Sequence, residues 1–262
     1  MNISSEETAK LDNLTGAELA TEMPQAESVI FTDEFTSPAG SQFQVTKTLE
    51  LDEYEEEKFE SRTDVFMANA ETLSQPSDNF KGTARKAAKL SIADAETEYF
   101  DDLKDLIETL PDHQSMVRHD PHISTSANSE RVEEEERNVE VSAFLYAASR
   151  ENDNDYHLIV GRDPANSEKI FMTMEISGLP PETSEFFDTL ESARNAYKDF
   201  FGNNLPGLGY DFYNPPIPIK IAGSLFFDMS HATGSRPGPS KLRPFMPVVW
   251  EVHPVTSIEF EG

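Results

Sequence analysis

Cysteine is absent from the 262 residues, which excludes disulfides, thiolate metal ligands and a thiol nucleophile. Long apolar runs are missing too: no stretch approaches the ~18 apolar residues of a membrane helix. The opening residues, Met1-Asn-Ile-Ser-Ser-Glu-Glu, have neither the basic start nor the apolar core of an export signal, so the expectation is a cytoplasmic protein. Positive charge is scarce, with 21 Lys and Arg against 49 Asp and Glu and a net charge of −28. A field of that sign repels the phosphate backbone. Contact with an oligonucleotide would therefore need a local patch.

What is present is unevenly spread. From Arg137 onward there are 10 basic and 17 acidic residues; the first 136 hold 11 and 32, three quarters of the excess. Acidic runs such as Glu50–Glu57 and Glu133–Glu136 favour an expanded chain. The sequence therefore reads as an acidic, largely disordered region over 1–136 and a folded domain over 137–262. Within the first part, residues 1–27 and the linker-like 111–136 are expected to be mobile. Two weak strand patterns lie at 29–32 and 42–51, with a turn at Pro38–Gly40 between them. An amphipathic helix is expected near 93–110, where Tyr99, Phe100, Leu103, Leu106, Ile107 and Leu110 recur at three- and four-residue steps before Pro111.

The second part reads β-β-β-α-β-β. Strands are expected at Val139–Ala148, Tyr156–Val160, Lys169–Ile176, Ile217–Asp228 and Val248–Phe260. The helix opens at Pro180-Pro181, buries Phe187, Leu190, Ala193, Tyr197 and Phe200 or Phe201, and ends at Gly202. This is the order of an OB-fold, a five-stranded Greek-key barrel that offers one strand face and two loops to a ligand. The expected pairing joins strand one to strands two and four, with strand five returning to strand one.

Alternation sorts the side chains of these strands. In strand four, Ile219, Ile221, Leu225 and Phe227 share the core face, and Ser224, Phe226 and Asp228 the other. In strand five, Trp250 and Val252 alternate with Glu251 and His253. Asp228, His231, Glu251 and His253 thus form a candidate set for a divalent metal or for acid–base work, since imidazole with carboxylate suits zinc or manganese. His157, two residues after Asp155, is a fifth candidate. The competing reading makes each histidine a strand cap or the partner of a backbone carbonyl.

The loop 229–249 holds Arg236, Lys241 and Arg243 and no acidic residue. It joins strands four and five, the connection that OB-folds use to grip oligonucleotides or sugars. Tyr156, Phe226 and Trp250 are candidate stacking platforms beside it. Alternatively, these cations bind the acidic first half in cis.

Three segments carry a resemblance: Asp155-Tyr156-His157-Leu158, Gly223-Ser-Leu-Phe226-Phe227-Asp228-Met-Ser-His231 and Trp250-Glu251-Val-His253-Pro254-Val. They resemble a family of short, largely uncharacterised bacterial OB-like barrel proteins that repeats D-x-D-[aromatic or Ile]-H-L, G-x-x-F-[FW]-D-x-x-H and E-[LIV]-H-P-V. The likeness spans about Val139 to Phe260. It implies the barrel and a shared site, and no reaction.

Three functions are consistent with these residues. The first is a binding module for an anionic ligand, single-stranded nucleic acid or polysaccharide, held by the strand face and the loop 229–249. The second is a metal-assisted hydrolase or nuclease using Asp228, His231, Glu251 and His253. The third is a protein-interaction module autoinhibited by its acidic half.

Overall fold

The computed structural model describes residues 29–51, 64–68, 77–232, 234 and 236–261. The mobility expected of residues 1–27, and most of the Glu50–Glu57 run, fall outside these. The described residues form an eight-stranded mixed sheet with one long helix. Its strands are β1 (Val29–Thr36), β2 (Gln42–Thr48), β3 (Thr97–Phe100), β4 (Asn138–Arg150), β5 (Tyr156–Gly161), β6 (Phe171–Ile176), β7 (Asp211–Phe227) and β8 (Trp250–Phe260). Helices include α1 (Lys86–Lys89), α2 (Leu103–Glu108), α3 (His113–Val117), α4 (Phe187–Phe201) and α5 (Met229–Ala232).

The order across the sheet is β1-β2-β7-β8-β6-β5-β4-β3, and β7 also pairs with β4. That extra pairing closes a ring of five strands, β4-β5-β6-β8-β7. All its pairs are antiparallel except β6 with β8, which is parallel. The strand–helix order expected for 137–262 is therefore present, but one pairing differs. Strand five, β8, lies between β6 and β7 and does not return to strand one. The length of β4 and β7 makes the closure feasible, because each is long enough to pair with different neighbours along its course.

Inside the ring lie Val141, Leu145, Tyr156, Leu158, Met172, Met174, Ile219, Leu225, Phe227, Trp250 and Val252, all buried. α4 closes it with Leu190, Ala193, Tyr197, Phe200 and Phe201, and the Phe200 ring stacks on Phe260 at 3.7 Å. Alternation thus puts the apolar residues of each strand inside, and leaves Thr173, Glu175, Glu251, His253 and Phe226 on the outer face. At Gly223 a side chain would collide, since a Cβ there would stand 2.3 Å from the carbonyl oxygen of Pro254 on β8.

The first half is not set apart from this ring. β1 and β2 extend the sheet from β7, and β3 extends it in parallel from β4. The amphipathic pattern over 93–110 resolves differently from a single helix. Thr97–Phe100 pairs as a strand, and the helix runs only over Leu103–Glu108, capped by the Asp102 side chain on the Lys104 N–H. The expected linker 111–136 carries α3 and a 3-10 turn at Glu133–Glu135, with Met116 and Ile123 in the core. An arginine–glutamate pair explains why such an acidic run can sit against the ring. Glu135 is fully buried, grips the Arg85 guanidinium at 2.6 and 2.7 Å, and accepts the Phe227 N–H at 2.8 Å.

Candidate metal centre

The turn between β4 and β5 sets the first edge of the site. Glu151 and Asp155 close it through backbone bonds, and Asn154 takes a positive φ of 76°, which asparagine tolerates. The carbonyl of Asn79 fixes its side-chain amide at 2.5 Å. Asp155 is thereby turned toward the outer face, one oxygen held by the Gly178 N–H at 2.6 Å. The parallel pair supplies the centre. β6 and β8 run in register with Thr173 beside Glu251, so Glu175 and His253 come next to each other.

Segment 77–136 covers this face. The Arg85 guanidinium lies over the Phe226 ring at 4.7 Å, and Phe226 in turn lies 5.4 Å from the His253 ring. Arg131 donates to the carbonyls of Ala88, Ser91 and His253 at 2.7–2.9 Å, tying the covering strand of chain to the backbone of the site. α1 then delivers Lys89, whose Nζ stands 3.7 Å from Glu175 and 3.9 Å from both Asp153 and Asp155.

Three groups of ligand atoms result, each lying within 4.8 Å: Asp155–Glu175–His253, Asp228–His231–Glu251 and Glu151–His157–Glu175. The four residues expected to share one centre are therefore divided. His253 joins Asp155 and Glu175, with Nδ1 2.8 Å from Glu175 and Nε2 3.5 Å from Asp155. Asp228 and His231 pair with each other beside Glu251, and Glu251 links the two groups at 3.8 Å from His253 Nδ1. His157 does not join Asp155; it pairs with Glu151 at 2.5 Å and reaches the Thr173 hydroxyl at 3.3 Å.

The central group is unsatisfied. Both ring nitrogens of His253, both carboxylate oxygens of Glu251, Asp155 Oδ2 and Glu175 Oε2 are buried without a hydrogen-bond partner. The 2.8 Å approach of His253 to Glu175 is at hydrogen-bond distance but out of hydrogen-bond alignment. Electrostatics follow from this crowding. Burial pushes the carboxyls of Asp155 and Glu251 well above their usual range, with Asp153 reinforcing the first and Glu175 the second. Burial would raise Glu175 as well, but Lys89 and His253 outweigh it and hold the group well below. Burial lowers His253, and Glu175 partly offsets it. Burial also pushes Glu151 up to about 7, and His157 only partly offsets it. At Asp228 the cost of burial is overcome by His231, which brings it to about 2.

The aromatic candidates sit differently from expectation. Tyr156, Phe226 and Trp250 are each 1% exposed, so none offers a ring face to a base or sugar. Tyr156 is packed under the Arg194 guanidinium at 4.4 Å, and Trp250 donates Nε1–H to the Pro111 carbonyl at 3.1 Å. In the loop, Arg236 donates to the Met246 carbonyl at 2.6 Å and Arg243 to the Gly238 carbonyl at 2.7 and 3.0 Å. Lys241 is half-buried in the same loop. The two arginines thus brace their own loop.

Sequence reasoning missed Glu175 and Lys89 as site residues. Glu175 was detectable as the one charged position within Phe171–Ile176; Lys89 carried no local signal. Among the described residues no helix is long and apolar enough to cross a membrane. Compared with protein families, curated proteins and solved structures, the chain matches none.

Proposed function

We propose that this protein is an OB-like barrel that holds a divalent cation on its outer strand face, with Asp155, Glu175, Glu251 and His253 as ligands. The ion serves metal-assisted hydrolysis. The observation that carries this reading is the set of six buried polar atoms on those four side chains that make no hydrogen bond, five of them in ion-pair contact only with one another or with Lys89. Burying ionisable groups with so little hydrogen bonding costs several kcal/mol each. A dication placed among them satisfies all four residues together. Three carboxylates and one imidazole suit manganese or zinc. Such an ion would polarise a bound oxygen or lower the pKa of a water. Lys89, 14% exposed, supplies an ammonium beside these carboxylates, 3.7 Å from Glu175 and 3.9 Å from Asp155.

The ring order β4-β5-β6-β8-β7 supports the barrel, because an OB-fold uses the outer face of its strands two and three for ligands. Two of the segments that resemble motifs of bacterial OB-like proteins, Asp155-Tyr156-His157-Leu158 and Glu251-Val-His253-Pro254, would supply ligands to the same centre. The anionic-ligand reading has no comparable support once the rings are buried and the loop arginines engage carbonyls.

The test is the metal content of purified full-length protein by mass spectrometry, with calorimetric titration of Mn²⁺ and Zn²⁺ and Mn²⁺-dependent hydrolysis of ester and phosphodiester reporters. Bound metal and hydrolysis, both lost in Asp155→Asn, are expected. A wild-type protein that binds neither ion would overturn the reading.

A further inference from the structure

His119, two residues beyond α3, has both ring nitrogens facing acceptors. Nδ1 stands 2.7 Å from the Pro121 carbonyl oxygen, and Nε2 stands 3.1 Å from a carboxylate oxygen of Glu134. Neither a carbonyl nor an ionised carboxylate can donate, so both bonds form only when the ring carries two protons. The geometry therefore belongs to the imidazolium. A neutral ring keeps its proton on Nδ1, at the shorter bond, and Nε2 then turns a lone pair toward the Glu134 carboxylate. His157 differs in this respect, because Thr173 offers its Nε2 a hydroxyl that donates as readily as it accepts.

Glu134 belongs to the 3-10 turn Glu133–Glu135, and the anchors of the covering segment flank it. Glu135 grips Arg85 and accepts the Phe227 N–H, while Arg131 holds the carbonyls of Ala88, Ser91 and His253. A bond from His119 to Glu134 thus ties the end of α3 to the turn that clamps the outer strand face. The His119 side chain is 17% exposed, enough to exchange its proton with solvent. The Pro121 carbonyl raises its pKa most; burial opposes this, and Glu134, with Glu135 behind it, adds to the rise. A histidine raised by folding contributes its stabilisation below the unfolded pKa and loses it as pH rises through the folded one.

We infer that His119 is a pH-sensitive latch: protonated, it fastens the turn Glu133–Glu135 over the outer face, and its deprotonation releases Glu134 and loosens that turn. The result is local opening rather than global unfolding, since the Arg85 and Arg131 anchors persist. The latch needs no ion at the outer face, so it stands or falls apart from the metal centre.

The test uses the full chain with a chelator present, so that no ion contributes. The His119 imidazole resonance, identified by its absence from His119→Gln, is followed against pH. Exchange of the Glu135 and Glu136 amides, which bond to the Val132 and Glu133 carbonyls, is followed over the same range and corrected for its intrinsic pH dependence. Wild type is expected to titrate above the ~6.5 of a free imidazole, and to lose protection of both amides several-fold across that midpoint. His119→Gln should be weakly protected throughout. Glu134→Gln should stay protected throughout, because its amide accepts from the charged ring and donates to the neutral one. That second variant keeps the result decisive if His119→Gln folds poorly. A His119 midpoint at or below ~6.5 would overturn the latch. So would a protection step of the same size in wild type and Glu134→Gln, or no step in wild type.

Discussion

Glu175 and His253 stand side by side on β6 and β8, and Glu175 Oε2 lies 2.8 Å from His253 Nδ1. The relationship depends on the parallel register of these two strands, Thr173 beside Glu251 and Met174 beside Val252. Glu175 belongs to two of the three ligand groups, so it is the residue on which the centre turns. Glu175→Gln keeps the volume and removes the charge. We expect it to weaken Mn²⁺ binding at least tenfold in a calorimetric titration, since even outer partners of metal ligands are worth 10–100-fold. Unchanged affinity would remove Glu175 from the ligand set.

Removal of the ion should expose the strain of the empty centre. A ligand at 100 times its dissociation constant stabilises the folded state by about 2.7 kcal/mol. For a chain of this size that corresponds to a fall in Tm of roughly 5–10 °C when a chelator is added. The same chelator should lower the Tm of Glu175→Gln by about half as much or less, since a tenfold weaker ion stabilises by only about 1.4 kcal/mol. Equal shifts in both proteins would mean that the chelated ion sits elsewhere.

Lys89 is the counter-charge of the metal-free site, within 3.9 Å of three carboxylates. Lys89→Met should therefore destabilise the chelator-treated protein by more than it destabilises the Mn²⁺-loaded one. Thermal unfolding of both proteins in both conditions makes the comparison. A loss that is the same with and without Mn²⁺ would reduce Lys89 to a packing role.

Asp78 docks the covering segment on α4, 3.1 Å from Arg194 and 2.5 Å from Lys198. Burial opposes its ionisation, but the two cations outweigh burial and hold its pKa below the usual 3.8. A carboxyl lowered by folding contributes stability above its unfolded pKa and loses it as pH falls through the folded value. Asp78→Asn should therefore be less stable than wild type at pH 7, and the gap should begin to narrow below about pH 4 and close as pH falls through the lower folded value. Urea unfolding at pH 7 and pH 3 measures it. A gap as large at pH 3 as at pH 7 would assign the effect to packing rather than charge.

The ring was legible because its strands alternate or run continuously apolar and its helix has a single buried face. The site was legible in part. His253, Glu251, Asp228 and His231 announced themselves by residue type beside apolar neighbours. Their grouping depended on which strand lies next to β8, and a pairing register is a long-range property that alternation does not encode. With β8 assigned to β4, Glu175 had no reason to stand beside His253. The first half was misread for a different physical reason. Net charge describes solvated residues well, but Glu135 is buried and paired with Arg85, so an acid in a run of four became an anchor. The Tyr99–Leu110 pattern failed because its exposed end, with Tyr99 74% exposed, pairs as an edge strand instead of joining the helix.

These anchors make a strong claim about residues 137–262 in isolation. Without the first half, the core loses Phe35, Phe43, Val45, Leu103, Leu106, Met116 and Ile123, all buried in the cluster that fills the ring. At ~1.5–3 kcal/mol for each large apolar side chain, that loss matches or exceeds the ~5–15 kcal/mol that holds a typical domain together. The fragment would also leave the Phe227 N–H without its Glu135 partner and the outer face without Lys89. A fragment starting at Arg137 is therefore expected to lack a cooperative urea transition. Limited proteolysis of the full chain should protect a core that begins near Val29. A stable, cooperatively unfolding fragment from Arg137 to Gly262 would show that the ring stands alone and that β1, β2 and the covering segment are accessories to it.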